Sequence, residues 1–394
     1  MRQRIHVWPQ KPQCQNGGIL LKAVVESPKG SSKLLWYHLA KEEDFVFPRT
    51  ADHFVCALAP FSMHHRCDME IHGEVSAALI QNLPEFMKIW SSWLPHEYAC
   101  VEIKAEKKVA PLLEKAAGNR AITIFSGGVD SSFTVYSHRK KISRSPDIDL
   151  QTALLVHGFD IPLTDTKAFE TASGKYREIV GSAGLGLKTI ATNLREFDAN
   201  WEFSCGAALA SCLSLFRESF SVGIVPSSEP EWSSLIWGSN ALTDPLFSSK
   251  GFKIIYDGGQ YTRAEKIGQL IEWSEALENL RVCWEGSDRA ANCCRCEKCV
   301  RTILTFRVYG AGRPLCFGRD VTDEEILRLK LHGSVQWHEL NYVFKIALSK
   351  GISDPWVKAL RRCLVRNKYR CAWKSFKVYV KGLLPRFCFR HDFF

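Results

Sequence analysis

The sequence predicts an α/β protein with a doubly wound parallel sheet, a β-rich N-terminal unit and a helical C-terminal extension. The central prediction rests on residues 116–310, where short apolar runs alternate with segments of helical periodicity. Strands that alternate with helices form a parallel sheet covered on both faces. Residues 1–115 carry β-rich runs broken by Gly, Pro and charged turns, and residues 311–394 become helical. We therefore expect three parts, divided near residues 115 and 310.

The bulk composition is that of a chain that folds around an apolar core. Of 394 residues, 46% are hydrophobic and 24% are charged, which are ordinary proportions for a globular protein. No run approaches the ~18 uninterrupted apolar residues that a membrane-spanning helix needs. Residues 1–13 lack the apolar centre of a signal peptide. The sequence thus predicts no membrane span and a cytoplasmic location.

The individual elements follow from the spacing of apolar residues. In the N-terminal unit, strands are expected at 17–27, 33–39 and 53–60, and a helix over Glu74–Trp90. In the central part, strands are expected at 121–125, 150–156, 187–192, 221–225, 235–238 and 253–256. Helices between them are expected over Ser131–Lys140, Thr166–Val180, Ser204–Glu218 and Arg263–Glu275. His64, His65 and Cys67 leave two interpretations open, a metal site or a loop with a buried cysteine.

The most specific motif is FSGGVDSS, which follows a buried strand and opens a helix. Backbone N–H groups and the positive end of the helix dipole can receive an anion at such a point. The two glycines allow close backbone approach, and Asp130 suits Mg²⁺ binding or ordering of the loop. The alternative is an ordinary glycine turn with a helix cap, but the flanking strand and helix favour phosphate binding. The candidate nucleotide-binding residues here are Phe125, Ser126, Gly127, Gly128, Val129, Asp130, Ser131 and Ser132.

An SGGxDS string at the end of a first strand resembles the PP-loop of the adenine nucleotide α-hydrolase-like superfamily. That superfamily includes GMP, NAD and asparagine synthetases, tRNA thiolation and lysidine enzymes, and 7-cyano-7-deazaguanine synthase. The GxxxxGK[ST] lysine of a Walker A loop does not follow this string, so kinase or GTPase chemistry is not indicated. The resemblance implies cleavage of ATP between its α and β phosphates and an adenylated substrate. It implies catalytic roles for Ser126, Asp130 and Ser131.

The second specific motif is a group of cysteines near the end of the central part. The chain has 15 cysteines, an odd number that does not indicate a disulfide framework. Cys283, Cys293, Cys296 and Cys299 follow the pattern C-x9-C-x2-C-x2-C, which suits a closed, structural, tetrahedral Zn²⁺ site. Cys293 is preferred to its neighbour Cys294 because it keeps the x2 step to Cys296. Unrelated buried cysteines are the alternative interpretation.

A PP-loop domain that ends in this cysteine pattern is similar to 7-cyano-7-deazaguanine synthase. Arg301 and Phe306 fall where that family has its own Arg and Phe. Residues 262–267 (TRAEKI) resemble the helix start before the first zinc cysteine of the family. The resemblance covers roughly Ala121 to Phe306 and implies the fold, ATP use and zinc. The chain departs from the family in its N-terminal unit, its C-terminal extension and its pocket stretches, which implies a different acid substrate.

Further candidates for the nucleotide pocket lie just after other strands. Val156 and His157 end the second central strand, and Asp160 follows closely. His157 suits a general base or a phosphate contact, or else a turn-stabilising pair with Asp160. The stretch GSNALTDP follows a later strand and carries the last group of polar candidates. These are Asn240, Thr243 and Asp244. An aspartate before proline also suits the start of a turn.

Two cations, Arg263 and Lys266, lie one turn apart at the start of a predicted helix. A helix N-terminus disfavours cations, so they are expected either to serve an anionic ligand or to lie on a solvated face. The basic residues of the chain are concentrated elsewhere, because the segment from Arg361 to the end has ten Lys or Arg and one acid. This basic, aromatic tail suits nucleic acid or an anionic surface, or docking on its own domain.

Three functions are compatible with these motifs. The leading one is an ATP-dependent, Mg²⁺-dependent ligase that adenylates a small-molecule carboxylate for attack by ammonia or an amine. The second is tRNA modification by thiolation or base amination, which the basic tail favours. The third is a non-catalytic nucleotide-binding partner protein, which an intact loop with Asp130 disfavours. The oligomeric state is left open and a homodimer is compatible with the sequence.

Overall fold

The computed structural model describes residues 2–15, 17–40, 45–110, 118–198 and 200–368. Within these ranges the backbone hydrogen bonds join the strands into an 11-stranded sheet. The strands are β1 (Arg4–Pro9), β2 (Gln13–Gln15), β3 (Gly18–Glu26), β4 (Ser32–Ala40), β5 (Asp68–Ser76), β6 (Ile103–Val109), β7 (Arg120–Ile124), β8 (Asp149–His157), β9 (Gly186–Thr192), β10 (Val222–Pro226) and β11 (Lys253–Asp257).

The sheet is mostly parallel, and its order is β11-β10-β7-β8-β9-β4-β3-β1-β5-β6, with β2 paired to β3. From β7 the chain builds outwards through β8 and β9, and it then returns to place β10 and β11 on the other side of β7. All four of these neighbouring pairs are parallel. The protein is therefore an α/β protein with an order compatible with a doubly wound fold, and β7 and β10 flank the point where that order reverses.

The strands of residues 1–115 belong to this same sheet, because β4 pairs with β9 in antiparallel orientation. Tyr37 lies opposite Thr192, and Leu39 lies opposite Ile190. The strands of the β-rich N-terminal unit therefore do not form a sheet of their own. Short, interrupted strands look alike in sequence whether they pair among themselves or with a distant strand. The division of the chain into three parts remains a prediction.

The described ranges also contain α-helices on both faces of the sheet. They are α1 (Asp52–His65), α2 (Ala77–Trp93), α3 (Val129–Arg139), α4 (Thr166–Ser182), α5 (Trp201–Ser214), α6 (Arg263–Leu270), α7 (Ser274–Asn279), α8 (Glu297–Val308), α9 (Asp323–Arg328) and α10 (Ser334–Ser349). Residues 355–368 are helical as well. None of the helices in these ranges combines the length and apolar character needed to cross a lipid bilayer. Most of the basic tail, residues 369–394, lies outside the described residues.

The two faces of the sheet pack against different helices. In β8, Leu154 and Val156 face a core that includes residues of α1, α2 and α5. Their neighbours Ala153 and Leu155 face a second core, built with α3, α4, α6 and α8. In the N-terminal half of the sheet, β3 and β4 alternate buried and partly exposed side chains, as strands do when only one face is covered.

Two expected strands are not strands. Residues 53–60 form part of α1, in which every side chain from Asp52 to Met63 is buried. A helix buried all round has no polar stripe, so its sequence cannot be told from that of a buried strand. Residues 235–238 have no regular structure. The helix expected from Glu74 begins at Ala77, because β5 continues to Ser76.

Candidate nucleotide site and metal centre

The FSGGVDSS loop joins β7 to α3 at the carboxyl end of the sheet. It lies where β7 meets β10 on one side and β8 on the other, the reversal point at which open α/β sheets bind their ligands. Gly128 is the N-cap of α3 and supplies no side-chain hydrogen bond. The N–H groups of the first turn are therefore not capped by a side chain and point towards the loop, as in helix termini that receive anions.

Gly127 is a glycine for two structural reasons. Its φ of +70° lies in the left-handed region, and a Cβ built on it would lie 2.0 Å from Cε1 of Tyr176. Tyr176 is a buried residue of α4 that packs edge-on against Phe125. The Gly127 carbonyl accepts a hydrogen bond from the backbone N–H of Arg281 at 2.8 Å. The loop is thus held between α4 and the segment that precedes the cysteine cluster.

Gly127→Ala is expected to destabilise the protein by about 2–4 kcal/mol, because a left-handed alanine is strained and its methyl group collides with the Tyr176 ring. Gly174→Ala on α4 is the matched control, since nothing lies within 4 Å of a Cβ there. In an exposed helix this control should be neutral or stabilising by up to about 1 kcal/mol. Chemical denaturation of both variants measures the difference. Equal stability of the two would contradict the assigned loop geometry.

The serine hydroxyls of the loop face one another. Ser131 Oγ lies 3.4 Å from Ser126 Oγ and 3.3 Å from the backbone N of Ser126. Ser131 also donates to the Gly128 carbonyl at 3.3 Å. Ser132 is fully buried, and its hydroxyl has no hydrogen-bond partner among the described residues. The contacts of Ser126 and Ser131 are long and weak, so these two hydroxyls are able to turn towards a ligand.

Asp130 is held by two cations of α6. Arg263 donates a hydrogen bond to Oδ2 of Asp130, and Nζ of Lys266 lies 3.4 Å from Oδ1. Burial opposes ionisation of Asp130, but the charges of Arg263 and Lys266 outweigh it and lower the pKa of the carboxyl. These contacts support the loop-ordering role of Asp130 rather than an open carboxylate for Mg²⁺.

Lys266 connects this ion cluster to the end of β10. Its side chain is 1% exposed, and Nζ donates to Oγ of Ser227 at 2.7 Å. Burial lowers the pKa of Lys266, Asp130 raises it and Arg263 lowers it further. A capping box formed by Thr262 and Glu265 begins α6 and so fixes where both cations project. The solvated-face interpretation of Lys266 is therefore wrong.

Other cations near the loop come from the cysteine segment and α8. Arg281 is buried and lies 4.0 Å from Asp160. Lys298 Nζ lies over the Trp284 ring, 3.6 Å from its centroid, and Arg301 pairs with Glu297 at 2.7 Å. Only Arg301 stands out in the sequence, through the family resemblance. In the sequence, only their position beside the cysteines distinguishes Arg281 and Lys298 from other basic residues.

A cavity of about 470 Å³ opens beside Arg263. Its walls are the segment 229–235, the start of α6, one face of α8 and one face of α10. Burial raises the pKa of Glu229 in its wall, and the nearby charge of Asp130 raises it further. Arg263 both lines the cavity and binds Asp130. Arg263 therefore connects the cavity to the loop.

The predicted site residues at the end of β8 have their contacts outside the FSGGVDSS loop. Val156 faces the core. His157 is buried, and its Nε2 lies 2.9 Å from the Pro162 carbonyl while its ring stacks on Phe169. These contacts support a turn-stabilising role for His157, although its partner is Pro162 and not Asp160. Asp160 instead faces Arg281.

The GSNALTDP stretch forms a turn that satisfies the side chains of Asn240 and Asp244, whereas Thr243 Oγ1 is buried without a hydrogen-bond partner among the described residues. Asn240 Oδ1 accepts from the backbone N–H groups of Leu242 and Thr243 at 3.1 and 3.0 Å. Asp244 is fully buried and accepts from Ser239 Oγ at 2.6 Å. Burial raises the pKa of Asp244 to about 7. Asn240 also lines a second cavity of about 180 Å³, which adjoins the first along segment 229–235.

The raised pKa of Asp244 predicts a pH-dependent stability that Asp244→Asn removes. The folded protein binds this proton more tightly than the unfolded chain, so the stabilisation present below about pH 4 is lost as pH rises through about 7. This loss is on the order of 4 kcal/mol, and an asparagine cannot undergo it. Denaturant unfolding from pH 5 to 8 should give a smaller decline for the variant. The exposed Asp147→Asn should keep the wild-type slope; matching slopes for Asp244→Asn would refute the assignment.

The four cysteines of the C-x9-C-x2-C-x2-C pattern lie together, with all of their sulfurs within 4.8 Å of one another. Cys283 Sγ lies 3.6 Å from Cys296 Sγ, and Cys293 Sγ lies 3.9 Å from Cys299 Sγ. A tetrahedron with metal–sulfur bonds of about 2.3 Å has edges of about 3.8 Å. These separations are far too long for disulfides. The arrangement is compatible with a tetrahedral metal site.

Backbone hydrogen bonds and local conformation define which cysteines take part. N–H groups of Glu285, Cys296 and Cys299 donate to Sγ atoms of the cluster at 3.3–3.4 Å. Cys294 adopts a left-handed φ of +59°, which turns its thiol away towards the Asn292 carbonyl at 3.3 Å. The preference for Cys293 over Cys294 therefore agrees with the geometry. His64, His65 and Cys67 form no comparable cluster in the described ranges.

Comparison of the chain with protein-family models, with curated proteins and with solved structures gives no match. Relatives therefore contribute nothing to the assignment of this site.

Proposed function

We propose that this chain is an AMP-forming, ATP-dependent ligase of the PP-loop kind. The proposal rests on one observation above all: the FSGGVDSS loop opens α3, without a side-chain cap, at the reversal point of a parallel sheet. Helix N-termini at that place bind phosphate groups. The hydroxyls of Ser126 and Ser131 lie 3.4 Å apart in the same loop.

In this proposal the loop holds the β and γ phosphates of ATP, which enters with its Mg²⁺ ion. A carboxylate oxygen of the substrate attacks the α-phosphorus, and the bond from that phosphorus to the bridging oxygen breaks to release pyrophosphate. Ammonia or an amine then attacks the acyl carbon, AMP leaves and the amine loses a proton. The N–H groups and hydroxyls of the loop stabilise the charge that develops on pyrophosphate.

The cavity beside Arg263 is the proposed place for the carboxylate. It adjoins the loop through Arg263, and guanidinium groups recognise carboxylates well. Its other walls carry apolar side chains from α10, including Val335 and Val343. Because α10 belongs to residues 311–394, the C-terminal extension would determine which acid fits the cavity.

Zinc is the metal proposed for the four cysteines, since four thiolates in a tetrahedron leave no open position for chemistry. Its role would be to hold the segment that supplies cations to the loop. Arg281 precedes the first ligand by two residues, and Lys298 lies between the last two. A folded cysteine cluster would therefore keep both cations beside the loop.

The test is analysis of the nucleotide products formed from Mg²⁺-ATP in the presence of a small-metabolite extract. AMP and pyrophosphate that form only with the extract would support the ligase. The same products formed only with purified tRNA, with steep salt dependence, would favour tRNA modification. ADP and phosphate, or no turnover with either addition, would overturn α–β cleavage and favour a nucleotide-binding partner protein.

A further inference from the structure

Three side chains with metal-binding atoms meet on the open face of the N-terminal half of the sheet. β1 and β5 are parallel neighbours, and His6 pairs in register with Glu70. His72 lies two residues beyond Glu70, on the same face of β5. The alternating residues Ile5 and Ile71 point the other way and are fully buried in the core. The strand register therefore fixes these three groups side by side.

The donor atoms are close enough to share one ion. Nδ1 of His6 lies 2.9 Å from Nε2 of His72 and 3.8 Å from Oε2 of Glu70. One ligand atom from each of the three residues lies within 4.8 Å of the other two. Ligands in neighbouring positions around an ion with bonds of about 2.1 Å are separated by about 3–3.5 Å. The observed spacing needs only small side-chain adjustments to match.

Neighbouring side chains already orient these groups. The Trp8 ring stacks on His72 with centroids 3.4 Å apart and planes 4° from parallel. Trp8 is itself tied to Glu26 through a 3.3 Å hydrogen bond. Arg4 lies 3.0 Å from the Glu70 carboxylate. Such outer contacts fix the orientation of metal ligands, although the positive charge of Arg4 also reduces affinity for a cation.

We propose that His6, Glu70 and His72 form a second metal site, which binds a divalent transition-metal ion such as Zn²⁺. Two imidazoles and one carboxylate are a donor set that selects zinc and its neighbours over Mg²⁺ or Ca²⁺. All three residues are partly exposed, so the remaining coordination positions face solvent. This open, nitrogen-rich site differs in kind from the closed thiolate cluster, and it does not depend on the proposed ligase activity.

Metal stoichiometry tests the site in the full-length protein. The protein is equilibrated by dialysis against buffered Zn²⁺, and bound zinc is counted by elemental analysis. We expect two zinc ions per chain in the wild type and one in His6→Ala and in His72→Ala. Glu70→Gln should weaken the second ion by more than about 10-fold, the smallest loss seen even for outer partners of a metal. The exposed His96→Ala is the matched control and should keep both ions.

Cobalt spectroscopy distinguishes the two sites by the kind of ligand that binds the metal. Co²⁺ in the cysteine cluster gives intense thiolate-to-cobalt absorption, whereas Co²⁺ bound by imidazole and carboxylate gives only weaker ligand-field bands. We expect a second equivalent that adds ligand-field bands and no thiolate absorption. One equivalent of metal in the wild type, or two in a folded His72→Ala protein, would overturn the proposal. The His6–His72 contact would then be an imidazole N–H···N hydrogen bond that holds no metal ion.

Discussion

Asp130→Ala is expected to reduce AMP formation by about 100-fold, the size of effect seen when groups that position a reacting substrate are displaced by about 1 Å. Asp130 binds both Arg263 and Lys266, so its loss leaves two cations of α6 without their shared carboxylate at the start of the loop. Because Lys266 is buried, removing its carboxylate partner also costs up to about 3–5 kcal/mol of stability. The first effect tests the proposed function, and the second tests the structure alone.

The control for this variant is Asp165→Ala at the start of the neighbouring helix. Asp165 caps α4 by accepting from the Ala168 N–H, so the variant should lose about 1 kcal/mol and keep its activity. Product analysis and denaturant unfolding of both proteins separate loss of chemistry from loss of fold. Wild-type AMP formation by a folded Asp130→Ala protein would remove the loop from the mechanism.

Cys296→Ser is expected to abolish metal binding at the cysteine cluster and to unfold the segment around it. Cys296 contributes its Sγ to the cluster and also caps α8 by accepting from the Cys299 N–H. Structural zinc sites contribute on the order of 10 kcal/mol of apparent binding free energy. Loss of this tether should also displace Arg281 and Lys298, so any ATP-dependent activity should fall with it.

Cys294→Ser provides the comparison, since Cys294 lies next to a ligand but points away from the cluster. This variant should keep thiolate-to-cobalt absorption and wild-type thermal stability, whereas Cys296→Ser should lose both. Absorption of equal intensity in the two proteins, or its loss in Cys294→Ser, would show that the cluster has been assigned to the wrong thiols.

Features with a local cause were predictable from the sequence. The loop between β7 and α3 has a strand before it, two glycines and a helix after it, all within one short stretch. The cysteine pattern is similarly compact, and its short ligand spacings are typical of zinc sites. From β7 to β10 the strands and helices also alternate as expected, because parallel strands require a crossover after each strand.

Features that depend on distant contacts were not predictable in this way. Asp130 and Arg263 are 133 positions apart in sequence, and no local sequence pattern predicts their contact. The fully buried helix α1 lacks the polar stripe that would identify it. The pairing of β4 with β9 joins segments more than a hundred residues apart, and such pairing follows from the shape of the whole sheet.

The pairing of β4 with β9 protects the edge of β9 from pairing with strands of other molecules. Unpaired strand edges recruit strands of other molecules, and proteins protect them with lysines and short strands. The outer strand β6 carries Lys104, Lys107 and Lys108. β9 has only Lys188, and its edge is covered by β4 instead. The N-terminal strands thus place the lysine-rich strand β6, rather than β9, at this edge of the sheet.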